Sequence, residues 1–344
     1  QTITTNSFDN RGNALHQTVL SEGWVSVNGA PAAWVFSGMQ DITNDSIDLY
    51  DQTGHSIVKS YSSATVSAAN FTGLDDITYI QYDKYGNVES QNIKSYTDEA
   101  KTVLREYKEV VNVYADDVSR KRGNAQTSTV SRWTDPAKLA TQWIDKTVMT
   151  TTSFDSQGRA INQTQDIWVY KGTALQLAFH NDIQNLNYDN RGDAKLQKIT
   201  SFKVVAGVNV LIDYKELSNR NFDASHNISN QMILTYSDAT KVLLLEVQES
   251  RSIGFNAQGV ALQQILVTYS DIGKLTQLGV KVIENSNISP SGNVGTRVIT
   301  NYSSVTFQGD TTTDILSFTG KLDRQTITTN SFDNRGNALH QTVL

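Results

Sequence analysis

The first 20 residues of the chain return unchanged at its far end. Residues 1–20 (QTITTNSFDNRGNALHQTVL) are identical to residues 325–344, which gives a period of 324 residues. An identity of this length does not arise by chance, and strict periodicity is typical of proteins built from stacked units. Two interpretations stay open. Residues 1–324 are one copy of a duplicated long repeat and residues 325–344 begin the next, or the chain is a stretch of a polymer of one unit, cut at an arbitrary register.

A shorter and more diverged repeat lies inside the long period. Its marker is an aromatic residue followed by Asp, two variable residues and Gly, and nine units of about 36 residues fill the period. The clear copies supply Asp9 and Gly12, Asp51 and Gly54, Asp83 and Gly86, Asp155 and Gly158, and Asp189 and Gly192. The weaker copies supply Asp223 with His226, Asn256 with Gly259, Ser119 with Gly123, and Ser289-Pro290 with Gly292.

The marker predicts a hairpin turn. Asp favours the first position of a type I turn, where its carboxylate accepts hydrogen bonds from backbone N–H groups. The Gly then takes the left-handed conformation that closes the loop with a bulge. Pro290 fits the second turn position, and His226 tolerates the left-handed region better than most residues.

Fourteen residues after the leading aromatic comes a second marker. Four units carry a Tyr/Trp-Ser/Thr-Asp-x-x-Lys run there: 96–101, 133–138, 236–241 and 269–274. Extended runs such as 203–213 precede and follow the turns, so we expect an all-β chain of antiparallel hairpins. Short helices after some of these runs are the alternative, because Asp135-Pro136 suits a helix start and 103–111 has apolar residues at helical spacing.

A Gln lies nine residues after the leading position in six units. In-register stacking would bring these amides to one height, where they could hydrogen-bond along the stack as a ladder. The alternative is an exposed polar position on a strand. The column consists of Gln17, Gln91, Gln163, Gln197, Gln231 and Gln264.

Composition narrows the classes of partner. The net charge is -6 and the chain has no Cys, so we expect no nucleic-acid binding and no disulfide or zinc-thiolate site. The sequence contains no run of 18 apolar residues, so it predicts no membrane-spanning helix. The five His have no metal-ligand spacing, and turn capping explains the recurrent Asp better than calcium bound between turns, which stays the alternative. The sequence therefore predicts no catalytic site and no cofactor, and it argues against an enzyme.

The aromatic-Asp-x-x-Gly marker resembles the YD repeats of the Rhs and insecticidal-toxin-complex proteins, with a longer unit of about 36 residues. The resemblance is clearest at 82–87 (YDKYGN) and 8–13 (FDNRGN). It implies a spiralling β-sheet that encloses a hollow shell. We expect a structural repeat module of a large bacterial protein, outside the cell or at its surface, that pairs with further copies of the repeat. An encapsulating shell for a toxin and a glycan-binding adhesin are the alternatives.

Overall fold

The computed structural model of the protein describes residues 1–25, 32–172, 174–310 and 315–344. In these ranges the chain forms 20 β-strands of one antiparallel sheet, one short α-helix and two single-turn 3-10 helices. The prediction of an all-β chain of antiparallel hairpins is confirmed. The chain divides into two compact units, Gln1–Glu22 with Phe36–His180 and Gly23–Val35 with Asn181–Leu344.

Ten strands lie in the first part of the chain and ten in the second, counted over the described ranges. The first ten are β1 (Thr2–Phe8), β2 (Ala14–Val25), β3 (Ala33–Asp45), β4 (His55–Tyr61), β5 (Phe71–Tyr82), β6 (Val88–Tyr96), β7 (Leu104–Val113), β8 (Thr127–Trp133), β9 (Trp143–Phe154) and β10 (Ala160–Tyr170). The others are β11 (Leu175–Tyr188), β12 (Ala194–Val205), β13 (Val208–Phe222), β14 (Ile228–Tyr236), β15 (Leu244–Phe255), β16 (Ala261–Tyr269), β17 (Gln277–Ile288), β18 (Val294–Phe307), β19 (Ile315–Phe332) and β20 (Ala338–Val343).

Alternating side chains decide which face of a strand is buried. In β16, Ile265 and Val267 are fully buried and Tyr269 nearly so, while Leu262 on the other face is 45% exposed. Successive side chains of a strand point to opposite faces, so one face of this strand enters the core. The core cluster of the second unit comprises Met232, Val247, Ile265, Val267, Tyr269, Val280, Val282 and Val305.

The strand expectation holds in the run 98–113, where the helical alternative fails, but the predicted turn at 119–123 does not form. Leu104–Val113 is strand β7, so the apolar residues at helical spacing do not form a helix. The prediction of a hairpin turn at 119–123 is wrong, because Asp117–Arg122 forms helix α1, capped by Asp116 and ended by Gly123 at φ +72. A 3-10 turn, Ala140–Gln142, does follow the run 133–138.

Antiparallel pairing sorts the connections onto two sides. Some connections run from an odd-numbered strand to the next even-numbered strand, such as β1 to β2. They form what we call the first-turn side of each of the two compact units. Connections from an even-numbered to the next odd-numbered strand form the second-turn side. The first marker of the sequence lies on the first-turn side and the Asp-x-x-Lys runs lie on the second-turn side.

Candidate functional site

The first-turn side is built from capped turns. In the turn after β1, the Gly12 amide donates to the Asp9 carbonyl at 3.1 Å, and Gly12 has φ +91. The Asp9 carboxylate accepts from the backbone N–H groups of Arg11 and Asn13, both at 2.8 Å. Hydrogen bonds from Asn13 hold the pKa of Asp9 below its usual value. The same arrangement recurs at Asp83 with Gly86, Asp155 with Gly158, Asp189 with Gly192, and Asp223 with His226 at φ +67.

One clear copy of the marker has its turn three residues earlier than predicted. The Asp51 amide donates to the Asp48 carbonyl, and the Asp48 carboxylate accepts from the Tyr50 and Gln52 amides. Asp51 therefore occupies the left-handed position, at φ +62, and Gly54 lies outside the turn. A Cβ on Gly54 would lie 2.7 Å from the Ser46 carbonyl oxygen, so close packing explains this glycine.

Neighbouring turns touch through the residue that follows the left-handed position of the earlier turn. A Cβ placed on Gly259 would lie 3.0 Å from Oδ1 of Asn227, in the preceding turn. The same contact joins Gly336 to Asn293 and, in the first unit, Gly158 to Asn124. These glycines are therefore fixed both by their positive φ and by the side chain of the turn before. Weaker members of the set keep the geometry, with Gly259 at φ +72 and Gly292 at φ +83.

The Gln column forms hydrogen bonds across strands. Gln231 donates to Asn219 on β13 at 2.7 Å, Asn219 donates to Gln197 at 3.3 Å, and Gln197 donates to Asn185 on β11 at 2.9 Å. This alternating Gln and Asn series crosses four successive strands of the second unit. Elsewhere the partner is a hydroxyl: Gln17 bonds to Thr5, Gln163 to Thr151 and Gln264 to Ser250. Gln91 lies opposite Tyr79 and Val110.

The second-turn side contains a feature that the sequence reasoning missed. In each Asp-x-x-Lys run the lysine has a left-handed backbone, and its amide donates to the Asp carbonyl. Its ammonium then reaches a carboxylate on an earlier strand. We call these contacts lysine clasps: Lys101 with Asp76 (2.6 Å), Lys138 with Glu109, Lys241 with Glu216 (2.6 Å) and Lys274 with Glu249 (3.2 Å).

A tyrosine completes three of the lysine clasps. The Tyr214 hydroxyl donates to Glu216 at 3.1 Å, and the Lys241 ammonium lies 6.0 Å from the centre of the Tyr214 ring. Burial and the neighbouring carboxylate raise the pKa of Tyr214 to about 12. Tyr107 with Glu109 and Tyr269 with Glu249 repeat the contact. Two features mark this arrangement in the sequence. One is the Lys of the Asp-x-x-Lys run, and the other is an earlier carboxylate that lies two residues after a buried side chain.

The most buried clasp is part of a larger charged cluster. Glu249 is fully buried and accepts from Arg251 at 2.5 Å, while Arg220 and Lys274 each lie 3.2 Å from its carboxylate. Asp310, between β18 and β19, pairs with Lys274 at 2.5 Å. The Arg251 guanidinium lies 3.5 Å from the centre of the Phe307 ring on β18. The cluster therefore fastens the paired strands β18 and β19 to the sheet.

A histidine in the first unit bridges two carboxylates. Nδ1 of His55 lies 2.9 Å from Asp45, and Nε2 lies 2.9 Å from Asp76, which also pairs with Lys101. Two acceptors on one ring require both ring nitrogens to carry protons. Burial acts to lower the pKa of His55, but the hydrogen bonds to the two carboxylates outweigh it and raise the pKa.

The duplicated 20-residue segment forms the same hairpin twice. Phe8 faces Ala14 and Ile3 faces Val19 in the first copy, and Phe332 faces Ala338 and Ile327 faces Val343 in the second. The first copy pairs with the strand that follows it, because β2 pairs with β3. The second copy pairs with the strand that precedes it, because β19 pairs with β18. Among the described strands, each copy thus has one side of its hairpin paired and the other side unpaired.

Polar groups of the first copy contact the hairpin formed by β3 and β4. His16 lies 2.5 Å from Asp41. The Asn44 side chain donates to the Ala14 carbonyl at 3.0 Å. Around the next turn, Arg11 and Asn13 contact the Asp51 carboxylate at 3.1 and 2.9 Å. These contacts make β2 and its turn a specific recognition surface as well as a strand.

No group of three or more His, Cys, Asp or Glu placed to hold a metal ion occurs in the described ranges. The helices found there are all too short or too polar to cross a bilayer. No protein-family model matches the chain. A search of curated proteins likewise finds no significant match.

Proposed function

We propose that the chain is a structural repeat module that lengthens a β-sheet by pairing with further copies of the same repeat. The observation that carries the proposal is the duplicated hairpin, whose two copies have opposite sides covered. In a longer array, the hairpin at 325–344 would open the next period, with β18 on one side of it and a second β3 on the other. Stability would then be a sum of hairpin terms and neighbour terms.

The proposed setting is a filament, tube or sheath outside a bacterial cell or at its surface. The stacked turns, the lysine clasps and the cross-strand amides support a continuous sheet, since each joins one hairpin to its neighbour. An unpaired strand edge exposes N–H and C=O groups that another strand can satisfy, which is the physical basis for lengthening.

A chain of two tandem periods tests the proposal. We expect amide exchange at the internal copy of 338–343 to slow at least tenfold relative to the terminal copy, because a second β3 covers it. Electron microscopy should show a particle lengthened by a constant increment. Equal exchange at the internal and terminal copies would contradict the proposal.

A glycan-binding adhesin is the second candidate. Trp24 and Trp34 are 53% and 64% exposed, and their rings form an edge-to-face pair with centroids 5.3 Å apart. Exposed aromatic faces bind sugar rings through apolar contact. A glycan array with the chain and its Trp34→Ala variant tests this candidate. Loss of a positive signal in the variant would support it.

A further inference from the structure

The second copy of the hairpin presents a recognition surface whose partner the first copy identifies. We infer that β20 and its turn bind β3 and β4 of a second copy of this chain whenever that copy's own β1–β2 hairpin is released. The inference rests on the proposed function and extends it to separate chains, which would join by exchange of the 20-residue hairpin.

The four groups of the first copy that contact β3 and β4 recur in the second copy. Arg335, Asn337, the Ala338 carbonyl and His340 correspond to Arg11, Asn13, the Ala14 carbonyl and His16. In the described part of the chain, the side-chain contacts of Asn337 and His340 stay within their own hairpin, with Asp333 and Asn330. The second copy therefore carries the same recognition groups, and among the described strands its β20 pairs with β19 alone.

Burial shows the same difference. Leu15 and Val19 are half-buried in the first copy, whereas Leu339 and Val343 are 68% and 57% exposed in the second. Covering these side chains removes apolar surface from water, which favours the joined state. An ion pair would fix the register of the two strands. Arg335 would pair with Asp51 of the other chain, as Arg11 pairs with Asp51 within one chain.

The backbone of β20 is oriented for this pairing. Leu344 and Thr326 exchange both of their N–H···O bonds, at 3.0 and 2.9 Å. Backbone groups alternate along an antiparallel strand, so the N–H of Val343 points away from β19. The first copy has the same register, and the N–H of Val19 therefore points toward β3. A substitution at Val19 therefore affects the pairing of β2 with β3. A substitution at Val343 affects the proposed pairing of β20 with β3 of another chain.

Proline substitutions in the full chain provide the test, with sedimentation velocity as the measurement. Val19→Pro releases β2 from β3 and leaves β20 intact, so we expect concentration-dependent head-to-tail association. Val343→Pro should behave as the unsubstituted chain, since its own β3 stays occupied. The double variant should not associate, because β20 can no longer donate toward β3. A folded Val19→Pro chain that fails to associate, or a double variant that associates equally, would overturn the inference.

Charge reversal tests the register. In the Val19→Pro chain, Arg335→Asp should weaken association about tenfold, and adding Asp51→Arg should restore it. Weakening without restoration would overturn the proposed register.

Cross-linking locates the contact in the Val19→Pro chain, whose β3 is released. The chain has no Cys, so Asp41→Cys with His340→Cys gives two unique thiols. Exchange predicts intermolecular products with a short thiol cross-linker above the level of the Val19→Pro chain with Asp41→Cys alone, and equal yields would contradict it. A tandem chain that forms one continuous sheet while these tests fail would refute exchange alone. Failure of the tandem chain as well would refute the proposed function.

Discussion

Residues 1–20 and 325–344 are two copies of one sequence in two surroundings. They form the same hairpin with the same register, although β2 is half-buried while β20 is exposed throughout. The opposite holds for the other strand, since 326–329 in β19 are half-buried and Thr2, Ile3 and Thr4 in β1 are exposed. The difference shows that local sequence decides the hairpin and that the neighbouring strand decides its burial.

Proline substitutions should give the largest difference in folding stability between the two copies. Val19→Pro removes an N–H directed at β3 and should cost about 3 kcal/mol or more, whereas Val343→Pro lies on an open side and should cost less than about 1 kcal/mol. Amide exchange in β3 during denaturant titration measures the difference. Equal losses would show that β3 does not hold β2 in place.

Alanine at the turn glycines should give the next largest effect, with the order of the copies reversed. Gly12 and Gly336 have φ +91 and +83, so both variants should lose about 1–2 kcal/mol from backbone strain. Gly336→Ala should lose more, because the new Cβ would crowd Oδ1 of Asn293, while Gly12 has open space there. Thermal unfolding of each variant measures this. A larger loss at Gly12 would contradict the stacked-turn contact.

Alanine at the histidines should give a smaller difference. His16→Ala removes a half-buried contact to Asp41 and should cost about 1 kcal/mol. In the described ranges His340 forms a side-chain contact with Asn330 alone, at 3.4 Å, so His340→Ala should cost less than about 0.3 kcal/mol. Denaturant midpoints of the two variants give the comparison, and equal values would contradict it.

Acid should affect the two copies equally. Hydrogen bonds within each turn hold the pKa values of Asp9 and Asp333 below the ordinary value, and burial opposes them at Asp333. A carboxyl with a lowered folded-state pKa stabilises the fold above its unfolded pKa of about 4, and that stabilisation is lost as the pH falls through the folded pKa. Carboxyl NMR titration should give a lowered pKa for both residues, with no resolvable difference between them. A clear difference would show that neighbouring strands also tune the turn.

The turns could be predicted from sequence because their geometry is local. Asp at the first position and Gly at the fourth determine the hydrogen bonds without help from distant residues. The copy at 48–54 shows where this fails. Both Asp48 and Asp51 suit a turn, Asp48 takes the capping position, and Asp51 accepts the left-handed position that the pattern assigned to Gly54.

The Gln column shows a second limit, which is one of distance. Equivalent Gln residues lie two strands apart, or about 9.6 Å, so one hydrogen bond cannot join them. The intervening strand must supply the bridge, and Asn219 does so between Gln197 and Gln231. A pattern read within single units does not include that strand.

The lysine clasps were missed because propensity disfavours a left-handed lysine. Only the folded chain places Lys241 beside Glu216, which lies 25 residues earlier in the sequence. Their spacing recurs for Lys101 with Asp76 and Lys274 with Glu249, so comparison between units would have found them.

The contact between an asparagine and the glycine of the following turn restricts how such a gene can grow. Asn227 fits only a successor whose turn carries a glycine at the contact point, as Gly259 does. A unit copied alone keeps this contact only where its new neighbours carry the matching asparagine and glycine. A block copied whole keeps every internal junction and creates one new one. Duplication of 324 residues at a time therefore leaves the internal contacts between stacked turns unchanged.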